Sequence, residues 1–318
     1  MPVTLAQAKL NVQDALQMGV IDEFAKSSFL FNNLTFDDAV SPVGGGATLT
    51  YGYERVKTQP TAAFRAINAE YTAQEAEKEK FTAELKVFGG SFQIDRVIAS
   101  MGGIIDEVQF QITQKAKAAA ALFNDTVING DSGSDANVFD GLDKALTGSS
   151  TEFNTSAAID LSTSAKVTDN HVAFLDMLDE CLMSLDGPAS MLAGNTKMIA
   201  KLRAIARRVG LYNTARDQFG NQVEMYGNIP LVDLGAKAGS ANPVVATNGT
   251  SGETSLYAVR LGIDGFHGVS MAGQPPVQSW LPDFSTSGAV KTGEVEMVAA
   301  VALKATKAAM VIRKIKVQ

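Results

Sequence analysis

Apolar residues recur most regularly at Ile98, Met101, Ile105, Val108, Ile112, Ala116, Ala119, Phe123 and Val127. Steps of three and four are the signature of an amphipathic α-helix, predicted here over 96–128. The opposite face holds Asp106, Glu107, Gln109, Gln111, Gln114, Lys115, Lys117 and Asp125. Its acids come mostly early and its lysines later, as the helix dipole favours. Such a helix would run roughly 50 Å. Gly102-Gly103 is a point at which it could bend, and Asn129-Gly130-Asp131 predicts a left-handed stop. A helix of that length is either a long element of a large core or a spine that carries separate subdomains.

Upstream, Thr4-Leu5-Ala6-Gln7 has the form of a capping box, predicting a short helix over 4–18 that Gly19 ends. The next stretch carries Phe24, Phe29, Phe31 and Phe36. It is too aromatic to lie bare in water, so it needs a surface to cover, on its own chain or on a neighbouring subunit. After Gly44-Gly45-Gly46, residues 49–56 alternate like a half-buried strand. Phe81, Ala83, Leu85 and Val87 alternate again, and Gly89-Gly90 predicts a bulge before Phe92 and Ile94. Between these strands, 57–80 is polar and charged, and longer than the two to five residues of an ordinary hairpin turn. A projecting β-loop is the favoured reading, with a merely solvated face as the alternative.

Downstream, Val172, Leu175, Leu178, Leu182 and Leu185 predict a helix over 169–186 that Gly187-Pro188 stops. Ser190-Met191-Leu192-Ala193 reads as a buried strand, and Asn195 as the N-cap of a helix through about Arg208. Strands are expected at 229–232, 255–259, 295–303 and 310–315. Helices and strands mix without regular βαβ alternation, which argues for an α+β fold.

Composition narrows the function classes. The chain has 318 residues, 46% of them hydrophobic, enough for a large core. Its net charge of −7 disfavours sequence-independent nucleic-acid binding, which needs a basic surface. The single Cys181 forms no intrachain disulfide and suits a reducing compartment. No secretory or membrane-spanning segment is signalled, so a cytoplasmic origin without membrane contact is expected. With His171 and His267 the only histidines, a His/Cys zinc site is not expected. The run from Asp131 to Asn137 has calcium-loop spacing, but Ala136 stands where the turning glycine belongs and Leu142 where the bidentate acid belongs. Neither a nucleotide-binding P-loop nor a Gly-x-Ser-x-Gly elbow occurs. No catalytic residue, cofactor or metal is therefore assigned.

Three runs carry a likeness: 49–55 (Leu-Thr-Tyr-Gly-Tyr-Glu-Arg), 87–96 (Val-Phe-Gly-Gly-Ser-Phe-Gln-Ile-Asp-Arg), and Val127-Ile128-Asn129-Gly130-Asp131 followed by Phe139-Asp140-Gly141-Leu142. With the N-terminal arm, charged hairpin, long helix and last two strands, the chain resembles the major capsid proteins of tailed bacteriophages, which share the Hong Kong 97-type fold. That resemblance implies an α+β Hong Kong 97-like capsid fold of four parts. They are an N-terminal arm at 1–47, an extended β-hairpin loop at 48–95, a peripheral domain with the spine helix at 96–130 and 268–304, and an axial domain at 131–267 and 305–318. It implies a homo-oligomer of hexamers and pentamers in the virion, made in the bacterial host cytoplasm and enclosing DNA with weak, non-specific contact. Because the arm begins almost at Pro2, a separate scaffolding protein or unaided assembly is implied, with a portal and decoration proteins as further expected partners. Intersubunit contacts are expected at Phe24, Phe29, Phe31, Phe36, Arg55, Lys57, Glu75, Glu77, Lys78, Glu79 and Lys80. Some members cross-link a loop lysine to a late asparagine, but no asparagine follows Asn248 here. A nanocompartment shell of the encapsulin kind is the nearest alternative, and a cytoplasmic enzyme a more distant one.

Overall fold

A computed structural model describes residues 30, 33–41, 48–100, 107–210, 213–216, 222–237, 239–273, 275 and 277–318. The first half runs β1 (Phe36–Val40), β2 (Thr50–Thr58), β3 (Glu77–Glu84), β4 (Lys86–Asp95), α1 (Arg96–Ser100), α2 (Glu107–Asn129), α3 (Leu142–Leu146) and β5 (Glu152–Asp160). There follow α4 (Ser164–Met183), β6 (Met191–Gly194), α5 (Thr196–Val209), β7 (Asn213–Arg216), β8 (Gln222–Tyr226), β9 (Ile229–Asp233) and β10 (Glu253–Val259). The chain ends with β11 (Phe266–Met271), β12 (Val277–Trp280), β13 (Val290–Leu303) and β14 (Ala309–Lys316). The predicted helix over 4–18, Phe24, Phe29, Phe31 and Gly44-Gly45-Gly46 lie outside the described residues.

The smaller sheet has the order β1-β11-β13-β12, with β4 on the other edge of β13. β13 is valine- and alanine-rich, and its long run supports β4 antiparallel in one register from Val290↔Asp95 to Ala299↔Lys86. No bulge occurs at Gly89-Gly90, contrary to expectation. The inward phase changes earlier, where Leu85 is buried between β3 and β4, so Phe88, Phe92 and Ile94 point inward while Val87 is 55% exposed. Gly89 is needed for a different reason, because a Cβ there would come 2.0 Å from the Val295 carbonyl oxygen.

Helix α2 packs on this sheet through Ile112, Ala116, Ala119, Phe123 and Val127, all buried as the periodicity predicted. Phe123 is the hub, with ring centroids 6.0 Å from Phe88, 6.2 Å from Phe139 and 6.3 Å from Phe36. Phe36 reaches it because β1 pairs parallel with β11 across Gly268, where a Cβ would lie 2.6 Å from the Phe36 ring. The predicted single helix over 96–128 is described as two pieces, α1 of five residues and α2 of 23. Met101, Gly102-Gly103 and Ile105 fall in the undescribed gap, and Ile98 is 51% exposed. Gly130 ends α2 without the expected left-handed backbone. Close approach demands glycine there, since a Cβ would sit 2.2 Å from the Phe139 carbonyl and 2.6 Å from that of Thr126.

The larger sheet has the order β5-β14-β10-β6-β9-β8-β7. Its central strands bury both faces. Met191, Ala193, Tyr257, Val259, Ala309 and Val311 join the core that α2 lines. The alternate residues Leu192, Leu256, Ala258, Met310 and Ile312 join a second core beneath α4 and α5. Lys314 adopts φ 59°, and pairing with β10 shifts register there, so Ile315 and Val317 stay in that second core. Asn195 caps α5 as predicted, its Oδ1 accepting from the Met198 N–H at 2.8 Å, and Gly210 closes it at φ 78°. Helix α4 starts earlier than expected, because the Thr163 hydroxyl accepts from the Lys166 N–H at 3.2 Å and acts as the cap. Its buried stripe is Val167, Phe174, Leu178 and Cys181, which leaves the predicted core residue Val172 56% exposed.

The Phe123 ring fills the junction of helix and sheet, so Phe123→Ala should cost about 3–5 kcal/mol, as large aromatic truncations in cores do. Leu122→Ala, on the half-exposed side of the same turn, should cost less than about 1 kcal/mol. Urea titration of both variants checks the assigned face.

Candidate assembly surface

The hairpin of β2 and β3 leaves the body at a firmly held root. Their register runs from Thr50↔Glu84 through Tyr53↔Phe81 to Thr58↔Glu77. Alternation puts Tyr51, Tyr53 and Arg55 on one face, toward the end of β13. The Tyr51 hydroxyl donates to Asp37 at 2.8 Å and that of Tyr53 to the Leu303 carbonyl at 3.0 Å. Arg55 donates from Nε to the Lys304 carbonyl at 2.9 Å, from Nη1 to Thr306 at 3.3 Å, and from Nη2 to the Leu303 carbonyl. Its guanidinium also lies 4.2 Å from the Phe81 ring centroid. Arg55, expected at an intersubunit contact, is thus engaged by its own chain, and so is the half-buried Phe36.

Beneath the root, His267 is fully buried with neither ring nitrogen hydrogen-bonded, and Tyr51 meets its ring edge-on at 5.7 Å. Burial, reinforced by nearby Lys304, pushes the imidazole below its usual pKa, while Asp37 opposes the shift. It is a neutral packing residue.

Beyond Thr58 and Glu77 the hairpin meets nothing of its own body. Every residue from Glu54 outward to Lys80, apart from the half-buried Arg55, is exposed. Lys57 pairs with Glu77 at 3.9 Å and Lys78 with Glu54 at 3.2 Å, while Glu75, Glu79 and Lys80 stand exposed beside them. These pairs cross the hairpin and contribute little to stability individually. Order at the tip is local: Thr61 donates to Gln74 through both N–H and hydroxyl, at 2.9 and 2.6 Å, and Asn68 turns the chain at φ 67°. Three apolar side chains stand in solvent there: Phe64 fully exposed, Ile67 at 91% and Tyr71 at 62%. They stand at steps of three and four within the polar run, the one sequence signal that marks them.

The turn after α2 is built around an internal cation. Lys144 Nζ lies 2.7 Å from Asp131 Oδ1 and 2.8 Å from Asp140 Oδ1, and donates to Ser132 at 3.0 Å. A lysine ammonium therefore sits among the oxygens that resembled a calcium loop. Lys144, with donors Ser134 and Gly133, holds the Asp131 carboxyl at about 2. Burial works against ionisation of Asp140, but Lys144 and Ser132 outweigh it and keep that carboxyl low too. No group of three His, Cys, Asp or Glu that could hold a metal occurs among the described residues. No described helix is long and apolar enough to cross a membrane.

By sequence the chain matches no family model and no curated protein. By structure it is similar to the holo encapsulin complex of Synechococcus elongatus, at TM-score 0.64 and 16% identity, covering 91% of this chain and 88% of that one. It is similar to the capsid of a native GTA particle, at TM-score 0.59 and 12% identity, covering 91% and 90%. It is also similar to the capsid of Myoviridae phage XM1, at TM-score 0.55 and 9% identity, covering 90% and 91%. The chain has the Hong Kong 97-like fold.

The carboxylates around Lys144 are depressed, so their contribution to stability is complete above the ordinary aspartate range near 3.9. It is lost as pH falls through the folded value of about 2 for Asp131. In Lys144→Met the Asp131 carboxyl should rise toward the ordinary aspartate range without reaching it, because Ser134 and Gly133 still donate to it. A carboxyl-carbon NMR titration reads the change; an unmoved Asp131 would show that the ammonium is not its main stabiliser.

Proposed function

We propose that the chain is the major capsid protein of a tailed double-stranded DNA bacteriophage, many copies of which close into an icosahedral head. The role is structural, not catalytic. Subunits form hexamers and pentamers around the genome in the virion, after synthesis in the bacterial host cytoplasm. A separate scaffolding protein directs closure, a portal occupies one vertex, and decoration proteins bind outside. The observation that carries this reading is the hairpin: its root is tied to the body while its distal part, with Phe64, Ile67 and Tyr71, extends into solvent. Exposed apolar side chains on a projecting element are expected where another surface covers them. The fold shared with capsid chains supports the same reading. The net charge of −7 suits a wall that contains DNA without gripping it.

A nanocompartment shell around a protein cargo is the second reading, supported by the likeness to an encapsulin complex at TM-score 0.64. Contents separate the two. Particles purified from phage-producing cells and imaged by electron microscopy should contain nuclease-protected DNA. A co-purifying protein cargo without DNA would favour the nanocompartment, and absence of closed particles would contradict both.

The hairpin charges give a finer test. Replacing Glu75, Glu77 and Glu79 with lysine should lower the temperature at which shells dissociate while leaving the isolated subunit's fold intact. Each exposed pair contributes only about 0.2–1 kcal/mol, but the contact repeats around every capsomer. Light scattering during heating at low and high salt measures this; identical dissociation of variant and parent in both buffers would remove these acids from the interface.

A further inference from the structure

The two helices over the larger sheet present faces of opposite charge. Helix α5 carries Lys197, Lys201, Arg203, Arg207 and Arg208 with no acidic residue, a concentration of cations unusual in a chain of net charge −7. Helix α4 carries Asp176, Asp179 and Glu180 in its carboxyl half and no basic residue in its last turn. Glu180, in the last turn of α4, opposes the helix dipole, so the isolated subunit holds it at an electrostatic disadvantage. Asp179 is engaged by the Tyr226 hydroxyl at 2.7 Å, while Asp176 and Glu180 are exposed.

Among the described residues no ion pair joins a cation of α5 to Asp176 or Glu180: Lys201 donates instead to the Ser162 carbonyl at 2.6 Å, and Arg203 pairs with Glu224. Arg208 donates to the Ser164 carbonyl at 3.2 Å and its hydroxyl at 2.8 Å, so the end of α5 meets the start of α4. Asp176 and Glu180 lie roughly 18–24 Å further along α4. That exceeds the screening length of about 8–10 Å at physiological salt. A second observation lies on the same stripe: Val172 and Met183 flank the acids at steps of four, four and three, and are 56% and 87% exposed.

We infer that the acidic, apolar stripe of α4 docks on the basic face of α5 in a second copy of this chain, each subunit giving one face and receiving the other. Such a contact is heterologous, and a heterologous contact that closes makes a ring. This deepens the shell reading and rests on it, naming the chemistry by which neighbours in a capsomer recognise each other. Opposite charges at the rim steer the encounter and fix register, while burial of Val172 and Met183 holds the contact.

The test uses three full-length variants, each checked for parent-like circular dichroism. Asp176→Lys with Glu180→Lys sets two cations of α4 against those of α5, and Lys197→Glu with Arg207→Glu sets two acids of α5 against those of α4. The third carries all four changes and restores opposite charge at the four exchanged positions. Sedimentation velocity should show the subunit concentration needed for assembly rising by about tenfold or more in each two-site variant, a loss of about 1.4 kcal/mol per contact. The four-site variant should assemble near the parent concentration. Two-site variants that assemble like the parent, or a four-site variant no better than either, overturn the contact while leaving the shell reading intact. If only the α5 changes weaken assembly, and the α4 changes do not compensate, α5 faces another polyanion such as DNA and the proposal fails. A parent that forms no particles contradicts the shell reading itself and this contact with it.

Discussion

The constraint on which the structure depends is double-sided burial of three neighbouring strands. Because side chains alternate along a strand, β6, β10 and β14 send successive residues into two different cores. One core continues through Val127 and Phe123 of α2 into the smaller sheet, and the other is closed by α4 and α5. A one-residue slip would exchange the two sets and mispack both layers, so register is specified from both sides at once. The bulge at Lys314 shifts the phase by one residue, so that Ile315 and Val317, in place of Lys314 and Lys316, enter the second core.

From that body the hairpin departs with a sharp change in support. At the root, Tyr51, Tyr53 and Arg55 are fixed by the carbonyls of Leu303 and Lys304, by Thr306 and by Asp37. A few residues further out, the only ties are exposed ion pairs and hydrogen bonds within the loop. The arrangement fixes where the projection leaves the subunit and leaves its tip free to adapt. In an assembly, burying Phe64, Ile67 and Tyr71 at about 25 cal/mol per Å² of apolar surface would outweigh the weak charge pairs beside them. Charge then contributes specificity more than strength.

Much of this was legible in the sequence where a single physical rule dominates. The α2 stripe followed from the helical period, the Asn195 cap from its side-chain acceptor, and β13 and β14 from apolar runs too short to be helices. The misreadings arose where tertiary contacts choose between local options. Gly89 was read as part of a bulge and Gly130 as part of a left-handed stop, but backbone atoms crowd the space where a Cβ would go. Val87 and Phe88 are both apolar, and only the phase change at Leu85 decides which turns inward. At α4 the leucines hold, with Leu178 and Leu185 buried and Leu175 and Leu182 packed against the second core, and only Val172 was misplaced, because Phe174 takes the inward position beside it. β5 went unnoticed because Glu152–Asp160 is mostly polar; it lies at a sheet edge, parallel to β14. At the candidate surface, the hairpin was legible in its length and charge, while the contacts that Phe36 and Arg55 make with their own chain were not.

The central claim is that the subunit body is complete in itself and the hairpin beyond Thr58 and Glu77 is completed by a neighbour. Amide hydrogen exchange, compared residue by residue between unassembled subunits and purified particles, tests it most directly. Fast exchange is expected at 59–76 in the subunit and strong protection in the particle, with β14 protected equally in both. Equal, fast exchange at 59–76 in both states would contradict it.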